Sequence, residues 1–316
     1  MARQAWDLPD LAGRAYLVTG ANAGLGYFSS EHLVRAGATV VMTGRNPNRL
    51  AQARAAVRRR VPEADPARVE SLLLDTSNLG SVRAAAASAR ARKKLDGLLL
   101  NAGMVHPPTA RETAPDGSEL VMATNALGHF ALAGELLTTL AAAGGRMVWL
   151  GSMSTSLTPY DPVDPQLIEG YTGWRAYVQS KVATTALGFE ADRRLRDADV
   201  DVLSVVAHPG YSTSGRSPGI VGVNSPSRGS RFVDNLQAPI SQSKLQGAWP
   251  LVHALTAADV SGGDYWGPYT GMRGKPRRQT ASKVTRDPEV AERLWRFAEE
   301  TTGVSWPFAK AASVRR

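Results

Sequence analysis

Tyr177 and Lys181 form a Y-x-x-x-K pair that begins 25 positions after Ser152. On a helix, residues four apart share one face, so the Lys181 ammonium can lie close to the phenol oxygen of Tyr177. A nearby cation favours the phenolate and is expected to lower the tyrosine pKa from its usual value of about 10. Alone, such a pair is typical of an amphipathic surface helix. Combined with a glycine-rich turn earlier in the chain, it indicates a general acid and base.

That glycine-rich turn occupies residues 19–26, which read T-G-A-N-A-G-L-G. Glycine lets the backbone turn tightly and approach a phosphate with no Cβ in the way. The helix that follows offers unpaired N–H groups and the positive end of its dipole to an anion. Because the turn lies between a predicted strand and a predicted helix, it indicates a dinucleotide-binding site.

Short apolar runs alternate with helical patterns along the chain. Continuous apolar strands separated by helices indicate a parallel sheet covered on both faces. The predicted fold is therefore α/β, a doubly wound (Rossmann) parallel sheet in a single domain with a substrate-binding lid. The predicted strands are residues 15–19, 39–42, 69–74, 97–100, 146–150 and 202–206, and the predicted helices are residues 26–36, 47–60, 79–92, 120–142 and 173–196.

Polar residues follow several predicted strands at the points where these strands end. Ligands of doubly wound sheets bind beyond the carboxyl ends of the strands, so residues in these places are expected to share one crevice. His106 and His129 lie elsewhere and are interpreted as structural. The residues at the strand ends are Thr19, Gly20, Asp75, Asn101, Ser152, His208 and Pro209.

The end of the second predicted strand bears on the choice of dinucleotide. An acidic residue here would hold the ribose 2′-hydroxyl of NAD, but Gly44 and Arg45 stand there instead. A carboxylate would repel a 2′-phosphate, whereas an arginine can pair with it. We therefore expect NADP (as NADPH) to be the cofactor, with NAD less favoured. The alternative is that Arg45 stacks near the adenine and that both dinucleotides bind.

Two segments outside the sheet pattern are candidates for substrate binding. Residues 211–250 are rich in Gly, Ser and Pro and carry scattered apolar residues. This predicts a lid over an apolar substrate, or alternatively a plain surface loop. The long insertion between Ser152 and Tyr177 either lines the substrate pocket or forms an interface loop. Its notable members are Met153, Tyr160, Tyr171 and Trp174.

The composition argues against several classes of function. The chain has 316 residues, 43% hydrophobic and 21% charged, as in ordinary globular proteins. It has no cysteine, and no His, Asp or Glu cluster has metal-ligand spacing, so no metal is expected. The formal charge is +9, but the basic clusters lack the interleaved aromatic residues that nucleic-acid stacking needs. No nucleic-acid partner is therefore expected.

The sequence also predicts no membrane partner. It contains no run of about 18 apolar residues, which a membrane span would need. Its first residues lack the apolar core of a signal peptide. A cytoplasmic location is therefore expected. Residues 304–316 are predicted to form a basic tail, disordered from Lys310 to Arg316.

Together these residues resemble the classical short-chain dehydrogenase/reductase family, from residue 11 to residue 210. The turn at residues 19–26 matches the family pattern T-G-x-x-x-G-x-G. Residues 100–103 read L-N-A-G where the family has N-N-A-G, so Leu100 replaces the first asparagine. Residues 113–119 and 125–130 look particularly like the branch of retinol dehydrogenases and WW-domain oxidoreductases.

Other positions also match the family, with one departure. Gly151 and Ser152 stand where the family usually has two serines, the second being catalytic. Pro209 and Gly210 match the P-G turn beside the nicotinamide. The hydroxyl expected next for the nicotinamide carboxamide falls on Thr213 or Ser214, and the sequence leaves this choice open.

The resemblance implies an oxidoreductase that transfers a hydride between the nicotinamide and a carbonyl or secondary alcohol of a hydrophobic small molecule. It implies that Tyr177 protonates the reacting oxygen, Ser152 donates a hydrogen bond to it, and Lys181 lowers the tyrosine pKa and binds the nicotinamide ribose. Asn125 would hold a water in a proton relay. The implied cofactor-binding residues are Gly20, Asn22, Gly24, Leu25, Gly26, Arg45, Asp75, Thr76, Asn101, Ala102, Gly103, Tyr177, Lys181, Pro209, Gly210, Thr213 and Ser214.

Two other functions stay open at this point. Related scaffolds reduce carbon–carbon double bonds, and others serve as non-catalytic sensors of dinucleotides. Sensors commonly lose the tyrosine or the lysine, and this chain keeps both. The family also implies a homodimer or homotetramer that pairs through the helices predicted at residues 120–142 and 173–196.

Overall fold

An eight-stranded sheet forms the centre of the computed structural model, which describes residues 8–308. A separate pair of short strands lies beside it. The strands are β1 (Ala15–Val18), β2 (Thr39–Gly44), β3 (Val69–Leu73), β4 (Gly97–Leu100), β5 (Arg146–Leu150), β6 (Leu203–Ala207), β7 (Ser212–Thr213), β8 (Gln242–Ser243), β9 (Tyr265–Pro268) and β10 (Pro276–Gln279).

Helices alternate with these strands and cover the sheet. The helix predicted at residues 120–142 is present, but a π-helical turn over Ala123–Leu127 joins its two α-helical parts. The helices are α1 (Gly24–Arg35), α2 (Pro47–Arg60), α3 (Leu79–Arg90), α4 (Leu120–Met122), α5 (Gly128–Ala141), α6 (Gly173–Asp197), α7 (Arg228–Leu236), α8 (Lys244–Thr256) and α9 (Pro288–Thr302).

The strand order in the large sheet is β10-β9-β6-β5-β4-β1-β2-β3. All neighbouring strands are parallel except β9 and β10. The chain reverses its direction of travel across the sheet between β1 and β4, which opens a crevice at their carboxyl ends. The predicted doubly wound Rossmann fold is confirmed.

Side chains along each strand alternate between two cores, as the period of a strand requires. In β1, Tyr16 and Val18 pack into the core that α1, α2 and α8 cover, whereas Leu17 packs into the core under α3, α5 and α6. Gly97 of β4 has no room for a side chain, because a Cβ there would lie 2.6 Å from Cδ1 of Tyr16. The sheet is thus buried on both faces.

Two strands of the sheet were not predicted from the sequence. β9 is a four-residue strand that contains Gly267 and Pro268, and β10 is a polar edge strand with exposed Arg277 and Arg278. Neither carries an apolar run, and each gains its conformation from pairing with a neighbour. The local sequence pattern therefore does not reveal β9 and β10.

The predicted lid at residues 211–250 needs a correction at its end. α8 begins at Lys244 and packs against α1 and the sheet, so the last residues of the predicted lid belong to the core layer. The remaining segment contains β7, α7 and β8. Within it, the exposed apolar side chains are Tyr211, Val221, Phe232, Val233, Leu236 and Ile240.

The predicted tail also needs a correction at its start. Val304 and Trp306 are buried against the core, and Gly134 of α5 lies so close that a Cβ would stand 2.6 Å from Cδ1 of Trp306. The tail therefore cannot begin at residue 304. Lys310–Arg316, predicted to be disordered, lies outside the described residues.

The two helical segments proposed to pair copies of the chain are covered within one copy. α9 packs against α6 and α5, and Trp295 of α9 meets Phe130 edge to face with ring centroids 4.8 Å apart. The helical stretch Leu120–Ala141 is also long and apolar enough to span a membrane by composition alone, contrary to the sequence-based expectation. However, 89% of its most apolar window is buried in the protein, as in a core helix.

Candidate active site

The glycine turn between β1 and α1 packs directly against the segment that follows β4. Gly20 has φ +65°, and a Cβ on it would lie 2.8 Å from Cα of Ala102. A Cβ on Gly26 would lie 2.5 Å from Nδ2 of Asn101. Only glycine fits at both places. The structure thus brings four predicted cofactor-binding residues together.

Thr19, the first residue of this turn, ties the two segments together. Its Oγ1 accepts hydrogen bonds from the backbone N–H groups of Asn101 and Ala102, both at 2.8 Å. Nδ2 of Asn101 donates to the Thr19 carbonyl at 2.7 Å. The neighbouring Leu100, which replaces a family asparagine, is fully buried in the core. Asn101 therefore provides a side-chain hydrogen bond to Thr19, the residue that follows β1.

The predicted cofactor-binding residues Arg45 and Asp75 follow the ends of β2 and β3. A Cβ on Gly44 would lie 2.8 Å from Oδ1 of Asn22, so these two residues are in contact. Arg45 is exposed, and nothing in residues 8–308 gives its guanidinium a hydrogen bond or an ion pair. Oδ1 of Asp75 accepts from the Ser77 backbone at 3.0 Å and from its hydroxyl at 2.7 Å.

Tyr177 and Ser152 meet across the gap between α6 and the end of β5. The phenol of Tyr177 donates to Oγ of Ser152 at 3.3 Å. Ser152 also caps the short 3₁₀ turn Met153–Ser156, and its Oγ accepts from the Ser154 backbone at 3.2 Å and from the Ser154 hydroxyl at 2.9 Å. Ser154, which the sequence analysis missed, therefore orients the predicted catalytic serine.

Burial alters the acid–base properties of the predicted pair. Burial raises the pKa of Tyr177, and its hydrogen bond to Ser152 opposes this only in part. Burial also lowers the pKa of Lys181 to about 8. The Lys181 Nζ donates to the Leu150 carbonyl at 2.8 Å and stands 6.0 Å from the Tyr177 ring centroid. The predicted lowering of the tyrosine pKa is therefore wrong for this structure, because burial disfavours both charged forms.

Asn125 lies in the π-helical turn and joins three parts of the site. Its Oδ1 accepts from the Met104 backbone at 2.7 Å, and its Nδ2 donates to Oγ of Ser180 at 2.9 Å. The Ser180 hydroxyl in turn donates to the Tyr177 carbonyl at 2.7 Å. Gly103 lies close to this amide, since a Cβ on it would stand 3.2 Å from Oδ1.

His129 links the same turn to β1. Its Nδ1 lies 3.0 Å from the Asn125 carbonyl, and its Nε2 lies 2.9 Å from Oγ1 of Thr19. Burial lowers its pKa to about 3, so the ring is neutral at physiological pH. The Asn125 carbonyl also accepts from Oγ1 of Thr184 at 3.0 Å. His129 is thus a structural bridge, as interpreted from the sequence.

The P-G turn after β6 adopts a conformation that requires glycine. Gly210 has φ +64°, and a Cβ there would lie 2.2 Å from the Met272 carbonyl oxygen. The preceding His208 is buried, with Nε2 2.9 Å from Oε1 of Gln279. Of the two hydroxyls that follow, Thr213 is buried and its Oγ1 has no hydrogen-bond partner in the described chain, whereas Ser214 is half-buried.

The insertion between the catalytic candidates places one aromatic residue beside Tyr177. The Trp174 ring lies 6.0 Å from that of Tyr177 at 33°, and its Nε1 donates to Oγ1 of Thr158 at 2.7 Å. Trp174 is 51% exposed. Tyr160 instead packs against the core, and the Tyr171 hydroxyl donates to the Pro108 carbonyl at 3.3 Å.

Comparison with known proteins agrees with this arrangement. The family model described as short chain dehydrogenase matches residues 14–217, more than half of the chain. The chain belongs to the short-chain dehydrogenase/reductase family. The resemblance inferred from the catalytic pair and the glycine turn is therefore confirmed.

Named relatives of this short-chain dehydrogenase/reductase align over most of their length. It is 32% identical to the short-chain dehydrogenase/reductase drtF of Aspergillus calidoustus, over 93% of this chain and 95% of the relative. It is 32% identical to a polyprenol dehydrogenase of Mus musculus, over 94% and 86%. It is 30% identical to retinol dehydrogenase 13 of Homo sapiens, over 97% and 89%. These relatives support the retinol dehydrogenase-like branch.

Solved structures agree with the fold. A crystal structure of an uncharacterized protein from Mycobacterium paratuberculosis superposes with a TM-score of 0.78 at 31% identity, covering 96% of this chain and 100% of that one. The complex of Pseudomonas aeruginosa RhlG with NADP has a TM-score of 0.61 at 22% identity, covering 82% and 95%, and shows the fold alone. The protein is thus an NAD(P)-dependent oxidoreductase of this family that acts on a small molecule.

Proposed function

We propose that this short-chain dehydrogenase/reductase is an NADP-dependent reductase of a carbonyl group on a hydrophobic small molecule. The reverse reaction would oxidise the corresponding alcohol, which is secondary where the carbonyl is a ketone. The observation that carries the proposal is the 3.3 Å hydrogen bond between the Tyr177 phenol and Ser152, at the carboxyl end of the sheet that also bears the glycine turn. A proton donor and a hydrogen-bond donor for one reacting oxygen are thereby adjacent.

Several features of the crevice fit a dinucleotide. Gly20 and Gly26 let the turn pack closely against the segment after β4, beside the N-terminus of α1 where a pyrophosphate would bind. The unpartnered buried hydroxyl of Thr213 could take the nicotinamide carboxamide, which favours Thr213 over Ser214. Asn22, Asp75 and Thr76 would hold the adenosine half. The other residues that would line the site are Gly24, Leu25, Asn101, Ala102, Gly103, Pro209 and Gly210.

Arg45 supports NADP rather than NAD. Its guanidinium is exposed and free of partners within the described chain, so it remains available to pair with a 2′-phosphate. The carboxylate that would bind the 2′-hydroxyl of NAD is missing from the end of β2. The complex of RhlG with NADP offers a fold-level parallel.

When bound, the reduced cofactor supplies the hydride, and this chain's residues supply the proton. Tyr177 would donate the phenol proton to the substrate oxygen, and its raised pKa keeps that proton in place at neutral pH. Ser152 would stabilise the developing negative charge on the same oxygen. Lys181 would bind the nicotinamide ribose and return a proton to Tyr177. The water-holding role of Asn125 stays a prediction, since its carbonyl already accepts from His129 and Thr184.

Exposed apolar side chains support a hydrophobic substrate. Trp174 stands beside Tyr177 with half its surface free, and α7 carries exposed Phe232, Val233 and Leu236 on the segment after β7. The names of two relatives refer to polyprenol and retinol, both long apolar alcohols. A cytoplasmic location and the absence of nucleic-acid and membrane partners stay predictions from composition.

The test is NADPH oxidation, followed at 340 nm, with a panel of carbonyls and α,β-unsaturated compounds. We expect turnover with apolar ketones or aldehydes and a lower KM for NADPH than for NADH. Arg45→Ala should raise the KM for NADPH and leave that for NADH unchanged. Reduction of only the carbon–carbon double bond would replace the carbonyl proposal, and an NADH preference would overturn the choice of NADP.

A further inference from the structure

Lys244 brings an ammonium group to the glycine turn from a distant part of the chain. It is the first residue of α8, and a Cβ built on Gly24 would lie 3.7 Å from both Cδ and Nζ of the lysine. Gly24 is itself the first residue of α1, and α1 packs along α8. The N-termini of two helices therefore converge where the lysine side chain lies.

The positive charge at this place is not neutralised by the protein. Neither helix carries an acidic residue in its first turn, where one would complement the helix dipole. Throughout residues 8–308, no carboxylate lies within 4.0 Å of the Lys244 ammonium. Burial lowers the pKa of Lys244, and the more distant Asp234 only partly opposes this. A half-buried cation at a helix N-terminus is unfavourable unless an anion joins it.

The backbone holds Lys244 next to a second predicted cofactor-binding segment. Its N–H donates to Oγ of Ser217 at 2.8 Å, and that hydroxyl donates to the Thr213 carbonyl at 2.7 Å. The preceding Ser243 forms a capping box with Gln246, and β8 pairs with β7. The lysine is thus fixed between the glycine turn and the turn that carries Thr213.

We propose that Lys244 is a further cofactor-binding residue whose ammonium binds the dinucleotide pyrophosphate at the glycine turn. This inference rests on the proposed dinucleotide site and adds a residue to it. The pyrophosphate is the fitting group because the lysine stands at Gly24, whereas the candidate for the 2′-phosphate, Arg45, follows Gly44 beside Asn22. Lys244 should therefore contribute equally to the affinities for NADPH and NADH, which share the pyrophosphate.

The experiment measures dissociation constants of NADPH and NADH by fluorescence titration of the full chain. Lys244→Met should weaken the binding of both dinucleotides by a similar factor, roughly tenfold for one charge-assisted contact. Lys244→Arg should restore most of the affinity. Arg45→Ala should weaken the binding of NADPH alone. Lys94→Met removes the same charge from an exposed site before β4, at the opposite end of the sheet, and should change neither constant.

The possible outcomes separate this inference from the proposed function. Unchanged affinities in a folded Lys244→Met variant would overturn the role of Lys244 and leave the dinucleotide site intact. A loss confined to NADPH would overturn the pyrophosphate assignment. Failure of the unsubstituted protein to bind either dinucleotide would overturn both proposals. Thermal melting checks folding, and we expect no fall in Tm for Lys244→Met, because its Nζ makes no hydrogen bond within the described chain.

Discussion

The Tyr177 phenol is the single group on which the proposed proton transfer depends. Tyr177→Phe removes the proton and leaves the ring against Trp174. We expect kcat to fall at least ~10²-fold, the usual contribution of general acid catalysis, with little change in NADPH affinity. Tyr171→Phe is the matched control, because it removes a hydroxyl bonded only to the Pro108 carbonyl. Steady-state kinetics measure kcat for both variants. Near-normal turnover of Tyr177→Phe would show that Tyr177 is not the proton donor.

The lowered pKa of Lys181 predicts a pH limb in the reductive reaction. A lysine whose pKa falls to about 8 keeps its ammonium below that pH and loses it above, whereas an ordinary lysine holds it until about 10.4. Because the proton relay needs the ammonium, kcat/KM for NADPH should fall above about pH 8. The pKa of Tyr177 is raised and cannot produce this limb. In Lys181→Arg the limb should move to higher pH. A profile that stays flat to pH 9.5 would contradict the relay.

At the scale of elements, the turn between β1 and α1 depends on Gly20. Gly20→Ala adds strain at φ +65°, about 1–3 kcal/mol, and drives a Cβ to 2.8 Å from the Ala102 backbone. We expect a lower Tm and the loss of NADPH binding. Gly13→Ala is the matched control, since Gly13 has φ +77° with nothing within 4 Å of its Cβ. It should lower the Tm by strain alone and keep NADPH binding, measured by titration.

Elements defined by local pattern could be predicted, and those defined by distant contacts could not. The six strands predicted from apolar runs, and the helix that carries the Y-x-x-x-K pair, can be recognised from the sequence alone. β9 depends on β6 for its pairing, and the π-helical turn depends on the hydrogen bonds of Asn125 to Met104 and Ser180. The Tyr177 pKa was mispredicted for the same reason, because burial is a property of the fold. Lys244 and Gly24 are far apart in the sequence and lie close together only in the folded structure.

At the scale of the whole molecule, α9 covers surfaces of α5 and α6 that would otherwise face solvent. Arg194 of α6 pairs with Glu292 of α9 at 2.5 Å and stacks over Trp295 at 4.7 Å. Beyond α9, the Trp306 ring stacks 6.4 Å from that of Trp149 and lies tilted 5.5 Å from that of Phe130 on α5. The helices expected to pair two copies therefore already bury these faces within one chain.

Because α9 and the Trp306 segment cover α5 and α6, we expect the purified protein to be a monomer of 33.7 kDa. The resemblance instead implies a homodimer or homotetramer. Pairing through α5 and α6 would require α9 and the Trp306 segment to detach. Detachment would expose Trp295 and Trp306, and a large buried aromatic side chain typically contributes about 3–5 kcal/mol. Light scattering after size exclusion, across a range of concentrations, measures the mass. A stable mass of twice 33.7 kDa would mean that copies pair through another surface, or that α9 is displaced. Hydrogen exchange distinguishes these, because α9 stays protected only in the first case.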